Sequence, residues 1–133
     1  MDMAEGQDLA SLLQRGPATA ASINEIATQL LSTIQYLHSK NIVHSDIKAT
    51  NIIYSEESKE VRLVDFGSAR SVLQGSAPLT VKMKTNGRYL APEQLREEVE
   101  LASDIWQFGC LLFELFTGLI PFEKSKDKDQ DLK

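Results

Sequence analysis

The feature that most constrains the fold is a stripe of aliphatic residues in the first third of the chain. These residues recur at spacings of three and four, the period of one face of an α-helix: Ile23, Ile26, Leu30, Ile34 and Leu37. Ser22 lies just before the stripe and Glu25 follows it by three positions, which is the capping-box pattern of a helix N-terminus. The sequence therefore predicts an amphipathic helix over residues 22–39 that buries this face.

The segments around this helix carry weaker patterns. Three short apolar runs predict β-strands at residues 42–43, 51–54 and 61–64. The polar residues 56–59 separate the last two runs, so these two strands are predicted to form a hairpin. Before the long helix, residues 1–6 predict an extended segment and residues 8–14 a short helix that Gly16 and Pro17 end.

The second half of the chain combines an irregular stretch with a strongly apolar helix. Residues 67–88 show no periodicity, and a loop of this length inside a domain is usually functional or disordered. Residues 93–96 predict a short helix. Ser103 or Asp104 is predicted to cap a longer helix over residues 105–117. Because this helix is apolar on nearly every side, we expect it to be buried on several faces.

Composition and charge argue against several classes of protein. The chain has 133 residues, of which 42% are hydrophobic and 25% charged, and its formal net charge is −5. This acidic balance argues against a nucleic-acid partner, which requires a basic face. No apolar run approaches the roughly 20 residues of a membrane-spanning helix. The single cysteine, Cys110, has apolar neighbours, so we expect a buried thiol and a reducing compartment, the cytoplasm or the nucleus.

Four short motifs follow one another along the chain. They are His44-Ser45-Asp46-Ile47-Lys48-Ala49-Thr50-Asn51, Asp65-Phe66-Gly67, Ala91-Pro92-Glu93 and Asp104-Ile105-Trp106-Gln107-Phe108-Gly109. In this order they resemble the catalytic loop, the metal-binding triplet, the end of the activation segment and the central C-lobe helix of eukaryotic-type serine/threonine protein kinases. Each motif alone could be ordinary turn chemistry, but four in the family's order argue against coincidence. The resemblance covers residues 1–122, and residues 123–133 are expected to be a charged, frayed tail.

The resemblance implies ATP-dependent phosphoryl transfer to a Ser or Thr hydroxyl of a protein substrate. Asp46 would lie beside the attacking hydroxyl, and Lys48 would reach the transferring phosphate and offset its charge. Asn51 and Asp65 would supply the hard oxygen ligands that suit Mg²⁺. ATP and Mg²⁺ are therefore the implied cofactors. A lysine at position 48 resembles serine/threonine kinases more than tyrosine kinases.

Further residues resemble the positions that hold adenosine in this family. Residues 1–6, which include Met1 and Met3, resemble the hinge whose backbone meets adenine. Asp8 stands where a polar residue near the ribose is common, and Leu9 and Ile53 stand where side chains sandwich the adenine ring. The corresponding candidates are Met1, Met3, Asp8, Leu9 and Ile53. Ordinary packing would explain each of these positions equally well.

The two histidines are not predicted to take part in the chemistry. In the family, the histidine at position 44 packs beneath the catalytic loop. His38, near the end of the long helix, is predicted to be an ordinary surface or half-buried residue. Asp104 is predicted to cap its helix, and by resemblance it would also hold the backbone of the catalytic loop.

Several features of the family are missing. The sequence contains no Gly-x-Gly-x-x-Gly, and its first lysine is Lys40, so the ATP-gripping N-terminal lobe is not represented. Ser45 replaces the arginine that binds an activation-segment phosphate, and Asn86 replaces a threonine that bridges Asp46 and Lys48. We therefore expect a partial kinase-like fold of the α+β class, a mainly α-helical C-lobe with short β-hairpins around the two functional loops.

Two hypotheses remain open at this level. The retained catalytic and metal-binding residues favour a kinase core that transfers phosphate only together with the missing lobe. The missing lobe, Ser45 and Asn86 favour a non-catalytic, pseudokinase-like scaffold fragment that docks on a partner chain. In either case the apolar surface of residues 105–116 would lack a cover without that lobe or partner, at a cost on the order of several kcal/mol.

Overall fold

The computed structural model describes residues 6–16, 18–72, 79–80 and 89–119. Three α-helices lie in these ranges: α1 (Leu9–Leu13), α2 (Ala20–Ser39) and α3 (Leu101–Thr117). Short 3-10 turns occur at Ala49–Asn51, Phe66–Ser68 and Pro92–Arg96. The strands are β1 (Gln7–Asp8), β2 (Ile42–Val43), β3 (Ile52–Tyr54), β4 (Val61–Leu63), β5 (Arg70–Ser71), β6 (Leu79–Thr80) and β7 (Glu98–Val99). The mixture of helices with short antiparallel strands confirms the predicted α+β class.

Helix α2 is the helix that the aliphatic stripe predicts, although it begins earlier than predicted. Its N-cap is Thr19 rather than Ser22, because the Thr19 Oγ1 atom accepts a hydrogen bond from the Ser22 amide at 3.1 Å. The two alanines that extend the helix carry no apolar stripe, so the periodic pattern could not reveal its first turn. All five residues of the stripe are buried, as predicted.

The stripe makes a direct prediction about stability. Ile34 is 0% exposed, so Ile34→Val removes a fully buried methylene and is expected to lower the free energy of unfolding by about 0.5–1.5 kcal/mol. The matched control is Ile105→Val, since Ile105 lies in α3 at 47% exposure and should change that free energy by less than about 0.5 kcal/mol. Equilibrium urea unfolding measures this free energy for the two variants. Equal decreases in the free energy of unfolding would contradict the assignment of the buried face.

The predicted hairpin is confirmed and forms the centre of a three-stranded antiparallel sheet in the order β1-β3-β4. Ile52 lies opposite Leu63, and Tyr54 lies opposite Val61. The turn of this hairpin is held by Gln29 of α2, whose Nε2 atom donates to the Lys59 carbonyl at 2.6 Å and whose Oε1 atom accepts from the Val61 amide at 3.1 Å. The remaining predicted strand, at residues 42–43, is β2, and it pairs with β5 rather than with the hairpin. Strand β6 pairs with β7.

Helix α3 begins at Leu101, and its N-cap is Glu100, so the prediction that Ser103 or Asp104 caps it is wrong. Ser103 nevertheless supports this end, because its hydroxyl accepts from the Glu100 amide at 3.0 Å and donates to the Glu93 carboxylate at 2.5 Å. Ser103 and Asp104 are both buried polar residues inside the first turns of the helix. Neither residue is the N-cap: Ser103 completes the capping box of Glu100 and also bonds to Glu93, while Asp104 bonds to the loop around residue 45.

One face of α3 packs into the core and the opposite face does not. The buried residues include Phe108, Leu111 and Leu115, which join the stripe of α2 in one cluster. Ile105, Phe113 and Phe116 are exposed. The prediction that α3 is buried on several faces is therefore wrong for the part of the chain that the structure describes. The apolar surface expected on residues 105–116 is present.

Cys110 lies in the core next to this face, which confirms the predicted burial. Burial raises the pKa of its thiol above the ordinary value, because removal from water disfavours the thiolate. Among the described residues, none of the helices has the length and apolar character needed to span a bilayer.

Candidate active site

The loop that carries Asp46 is anchored to α3 through a buried carboxylate. Asp104 is fully buried, and its two oxygens accept hydrogen bonds from the His44 and Ser45 amides, both at 2.8 Å. Ser45 adopts the left-handed conformation, with φ of +70°, which costs a residue other than glycine roughly 1–2 kcal/mol. The role that the resemblance implied for Asp104, holding the loop backbone, is therefore seen directly.

His44 is fully buried beneath this loop and joins it to the Asp65-Phe66-Gly67 triplet. Its Nδ1 atom lies 3.2 Å from the Asp46 amide and accepts from it, and its Nε2 atom lies 3.1 Å from the Val64 carbonyl. This arrangement requires the neutral tautomer with the proton on Nε2. The His44 ring also meets Phe66 edge to face, with the ring centroids 4.8 Å apart. His44 is a supporting residue, as its position in the sequence indicated.

Two further residues with predicted chemical roles, Lys48 and Asn51, lie beside Asp46. Lys48 Nζ lies 3.6 Å from Asp46 Oδ1, and the Asn51 side-chain amide donates to the Asp46 carbonyl at 2.8 Å and to Asp46 Oδ2 at 3.3 Å. The Asp46 and Lys48 side chains are 19% and 38% exposed, so both reach solvent while their backbone is held from below. A carboxylate and an ammonium group at this separation can orient a hydroxyl and neutralise an approaching anion.

Asp65 lies at the end of β4, beside Asn51. The pairing of β3 with β4 extends to a hydrogen bond from the Val64 amide to the Asn51 carbonyl at 2.9 Å. Because Asp65 follows Val64 directly, Asp65 and Asn51 lie at the same end of the hairpin. Asp65 adopts a left-handed conformation with φ of +62°, and its Oδ1 atom accepts from the Gly67 amide at 3.3 Å. A Cβ atom at position 67 would lie 3.3 Å from that oxygen, so a larger residue there would require a small shift of the Asp65 side chain.

The donor set of this end of the hairpin fits magnesium bound to a nucleotide better than a metal held by protein alone. Among the described residues, no group of three or more His, Cys, Asp and Glu side chains could form a metal cage. Asn51 and Asp65 offer an amide oxygen and a carboxylate. Mg²⁺ characteristically takes one or two such ligands and completes its shell with phosphate oxygens and water. These two residues would hold the ion, and the ion when bound would supply charge neutralisation at the phosphates.

The adenosine-binding candidates are only partly described. Met1, Met3 and Asn86 lie outside the described residues, as do residues 123–133. Asp8 and Ile53 are partners across β1 and β3, so the structure brings these two candidates together. Asp8 is also the N-cap of α1 and accepts from the Ser11 amide at 3.1 Å.

Leu9 has a different environment. Its side chain is 1% exposed and belongs to the core cluster, so it could meet a bound ring only from beneath the surface. The contacts of Leu9 and Ile53 with adenine and of Asp8 with the ribose stay predictions.

Three polar side chains to which the sequence analysis assigned no role in the site support the loop. His38 is half-buried, as predicted, and its Nε2 atom lies 2.9 Å from Asp104 Oδ2, the oxygen that also accepts from the His44 amide. Gln94 and Gln107 are both 1% exposed and reach the backbone around Asp46. Gln107 could have been recognised as the polar residue in the middle of an otherwise apolar helix, since a buried amide requires partners.

Asp104 of α3 anchors the loop that carries Asp46, and this loop lies beside the Asp65-Phe66-Gly67 triplet at the end of β4. This arrangement is that of a protein kinase site. The family model described as "Protein kinase domain" matches residues 1–133. The chain belongs to the protein kinase family.

Curated relatives of the chain are named as serine/threonine-protein kinases or as a ribosomal protein S6 kinase. The chain is 31% identical to Serine/threonine-protein kinase PDK1 of Cryptococcus neoformans var. grubii over 96% of its length. It is 37% identical to Probable serine/threonine-protein kinase PknB of Lactococcus lactis over 92%, and 33% identical to Ribosomal protein S6 kinase alpha-2 of Homo sapiens over 94%. It spans only 11%, 20% and 18% of the lengths of these three proteins.

Proposed function

We propose that this chain supplies the catalytic and metal-binding loops of an enzyme that transfers the γ-phosphoryl group of ATP to a Ser or Thr hydroxyl of a protein. The observation that carries the proposal is the cluster of Asp46, Lys48 and Asn51 on a backbone anchored by Asp104. Phosphoryl transfer depends mainly on positioning and charge neutralisation, and this cluster supplies both.

Each residue has a distinct role in this proposal. The Asp46 carboxylate orients the substrate hydroxyl and accepts its proton. Lys48, held 3.6 Å from that carboxylate, neutralises charge on the phosphoryl group as it moves between oxygens. Asn51 uses its amide nitrogen to fix Asp46 and leaves its amide oxygen for the metal, so one side chain couples the position of the base to that of the ion.

Serine/threonine specificity is supported by Lys48 and by the names of the relatives. The protein substrate would approach the side of the loop on which the Asp46 and Lys48 side chains reach solvent.

A non-catalytic scaffold function is the second candidate, and it has its own supporting observations. Ser45 lacks the charge of the usual arginine, and its hydroxyl is engaged with the Ser68 carbonyl at 2.8 Å. The exposed apolar face of α3, with Phe116 at 61% exposure, offers surface for a protein contact.

Nucleotide binding by the full-length protein separates the two candidates. We expect isothermal titration calorimetry to show ATP binding that depends on Mg²⁺ and weakens when the metal is chelated. AMP should bind more weakly and without this dependence, since it lacks the terminal phosphates whose charge a metal ion held by Asn51 and Asp65 would neutralise. Absence of Mg²⁺-dependent ATP binding would reject the catalytic proposal and favour the scaffold.

A further inference from the structure

The side chain of Gln107 holds the backbone on both sides of Asp46. Its Nε2 atom donates to the Ser45 carbonyl at 2.9 Å, and its Oε1 atom accepts from the Ile47 amide at 2.8 Å. Since one partner is an acceptor and the other a donor, only one orientation of the carboxamide satisfies both. This buried side chain of α3 thus fixes the peptide groups that precede and follow the residue carrying the reactive carboxylate.

This double contact acts on a backbone that needs support. Ser45 has a positive φ, and a residue other than glycine keeps such a conformation only when its surroundings determine it. Its amide is held by Asp104 and its hydroxyl by the Ser68 carbonyl. Its carbonyl oxygen, which belongs to the peptide group leading into Asp46, is held by Gln107 and by a second glutamine.

That second glutamine, Gln94, connects the same carbonyl to the Ala91-Pro92-Glu93 motif. Its Nε2 atom donates to the Ser45 carbonyl at 3.0 Å, while its Oε1 atom accepts from the Ala91 amide at 2.9 Å and from Gln107 Nε2 at 3.0 Å. Both glutamines are 1% exposed. In a dry environment such a network is strong when every member is bonded and costly when one member is lost.

From this geometry we infer that Gln107 is a positioning residue for Asp46, and that Gln94 makes the position of Asp46 depend on the backbone at Ala91. The two carboxamides form a relay from the end of the activation segment to the catalytic loop. A displacement of Ala91 would move Gln94, release one donor from the Ser45 carbonyl and shift the peptide group before Asp46. This inference rests on the proposed function, since it assigns a role in placing the reactive carboxylate.

The test compares methionine variants in the full-length protein, because methionine has nearly the volume of glutamine and no strong polar group. Gln107→Met is the main variant, and Gln94→Met is the second. Gln29→Met is the matched control, since Gln29 also donates to one backbone carbonyl and accepts from one backbone amide, but at the β3–β4 turn. Two readouts are measured: steady-state phosphoryl transfer to a peptide, and hydrogen–deuterium exchange of segment 45–48.

We expect Gln107→Met to lower kcat by about 10- to 100-fold while KM for ATP changes by less than about threefold, because the base is displaced and the nucleotide site is not. Segment 45–48 should exchange at least about tenfold faster, since the Ile47 amide loses its acceptor. Gln94→Met should reduce kcat by about three- to tenfold. Gln29→Met should leave kcat within about twofold of the wild type and exchange faster only near Val61.

Unchanged kcat and unchanged exchange in Gln107→Met would overturn the inference, and so would an equal fall in kcat in Gln29→Met. If Gln107→Met does not fold, the same criteria are applied to Gln94→Met. If the wild type neither binds Mg²⁺-ATP nor transfers phosphate, the proposed function fails. The exchange of segment 45–48 then decides separately whether the glutamines hold this backbone.

Discussion

Asp65→Ala in the full-length protein is expected to abolish Mg²⁺-dependent phosphoryl transfer, with kcat/KM reduced by about 1,000-fold or more. The reason is that the substitution removes the carboxylate that the end of the hairpin places near Asn51, so that of the two proposed metal ligands only the Asn51 amide oxygen remains. Loss of several kcal/mol of charge stabilisation in the transition state corresponds to a rate effect of about this size. The measurement is transfer of ³²P from ATP to a peptide over a range of Mg²⁺ concentrations.

Glu57→Ala provides the matched control for this variant. Glu57 is an exposed carboxylate in the turn that joins the same two strands, so its removal changes the charge of the hairpin equally but at the opposite end. We expect less than a twofold change in kcat/KM. A rate for Asp65→Ala within about tenfold of the wild type would contradict the assignment of Asp65 as a metal ligand.

Asp46→Asn is expected to lower kcat by about 100- to 10,000-fold while Mg²⁺-ATP still binds. An amide has nearly the shape of a carboxylate, and its oxygen can still accept the hydrogen bond from Asn51 Nδ2, so the loop should keep its conformation. It cannot, however, accept a proton from a hydroxyl, and it no longer pairs electrostatically with Lys48. Steady-state kinetics together with calorimetric ATP titration measure the two quantities separately.

The control for Asp46→Asn is Glu60→Gln, the same change of charge at an exposed position before β4. It should leave kcat within about twofold of the wild type. Near-normal turnover in Asp46→Asn would show that another group orients the hydroxyl, and loss of ATP binding would show that the substitution disturbs more than the base.

Much of the local structure could be predicted from short patterns. The stripe in α2 follows from the helical period, and the β3–β4 hairpin follows from two apolar runs around a polar turn. Helix starts were less predictable. Thr19 and Glu100 are the N-caps, while the sequence pointed to Ser22 and to Ser103 or Asp104. A polar residue near a helix start can cap the helix or bond to a distant element, and the linear sequence does not distinguish these two uses.

The candidate site divides in the same way. The motifs were enough to propose Asp46, Lys48, Asn51 and Asp65, because phosphoryl transfer and magnesium binding would require these residue types at these positions. Their supports could not be proposed in this way, because each joins residues far apart in the chain: His38 with Asp104, Gln94 and Gln107 with Ser45, and Ser45 with Ser68. Their polarity is visible in the sequence, but the partner of each side chain depends on how α3 crosses the loop.

The sequence by itself determined the family, the α+β class and the buried stripe of α2, and it supplied the prediction of which residues would perform phosphoryl transfer. These properties depend on residue type and on periodicity along the chain. Only the tertiary structure showed that Ser45 has a strained backbone and that Asp104, Gln107 and Gln94 hold it from buried positions. The physical reason is that a buried polar group must find its partners wherever the packed chain places them, so the positioning of Asp46 belongs to the fold rather than to the motif.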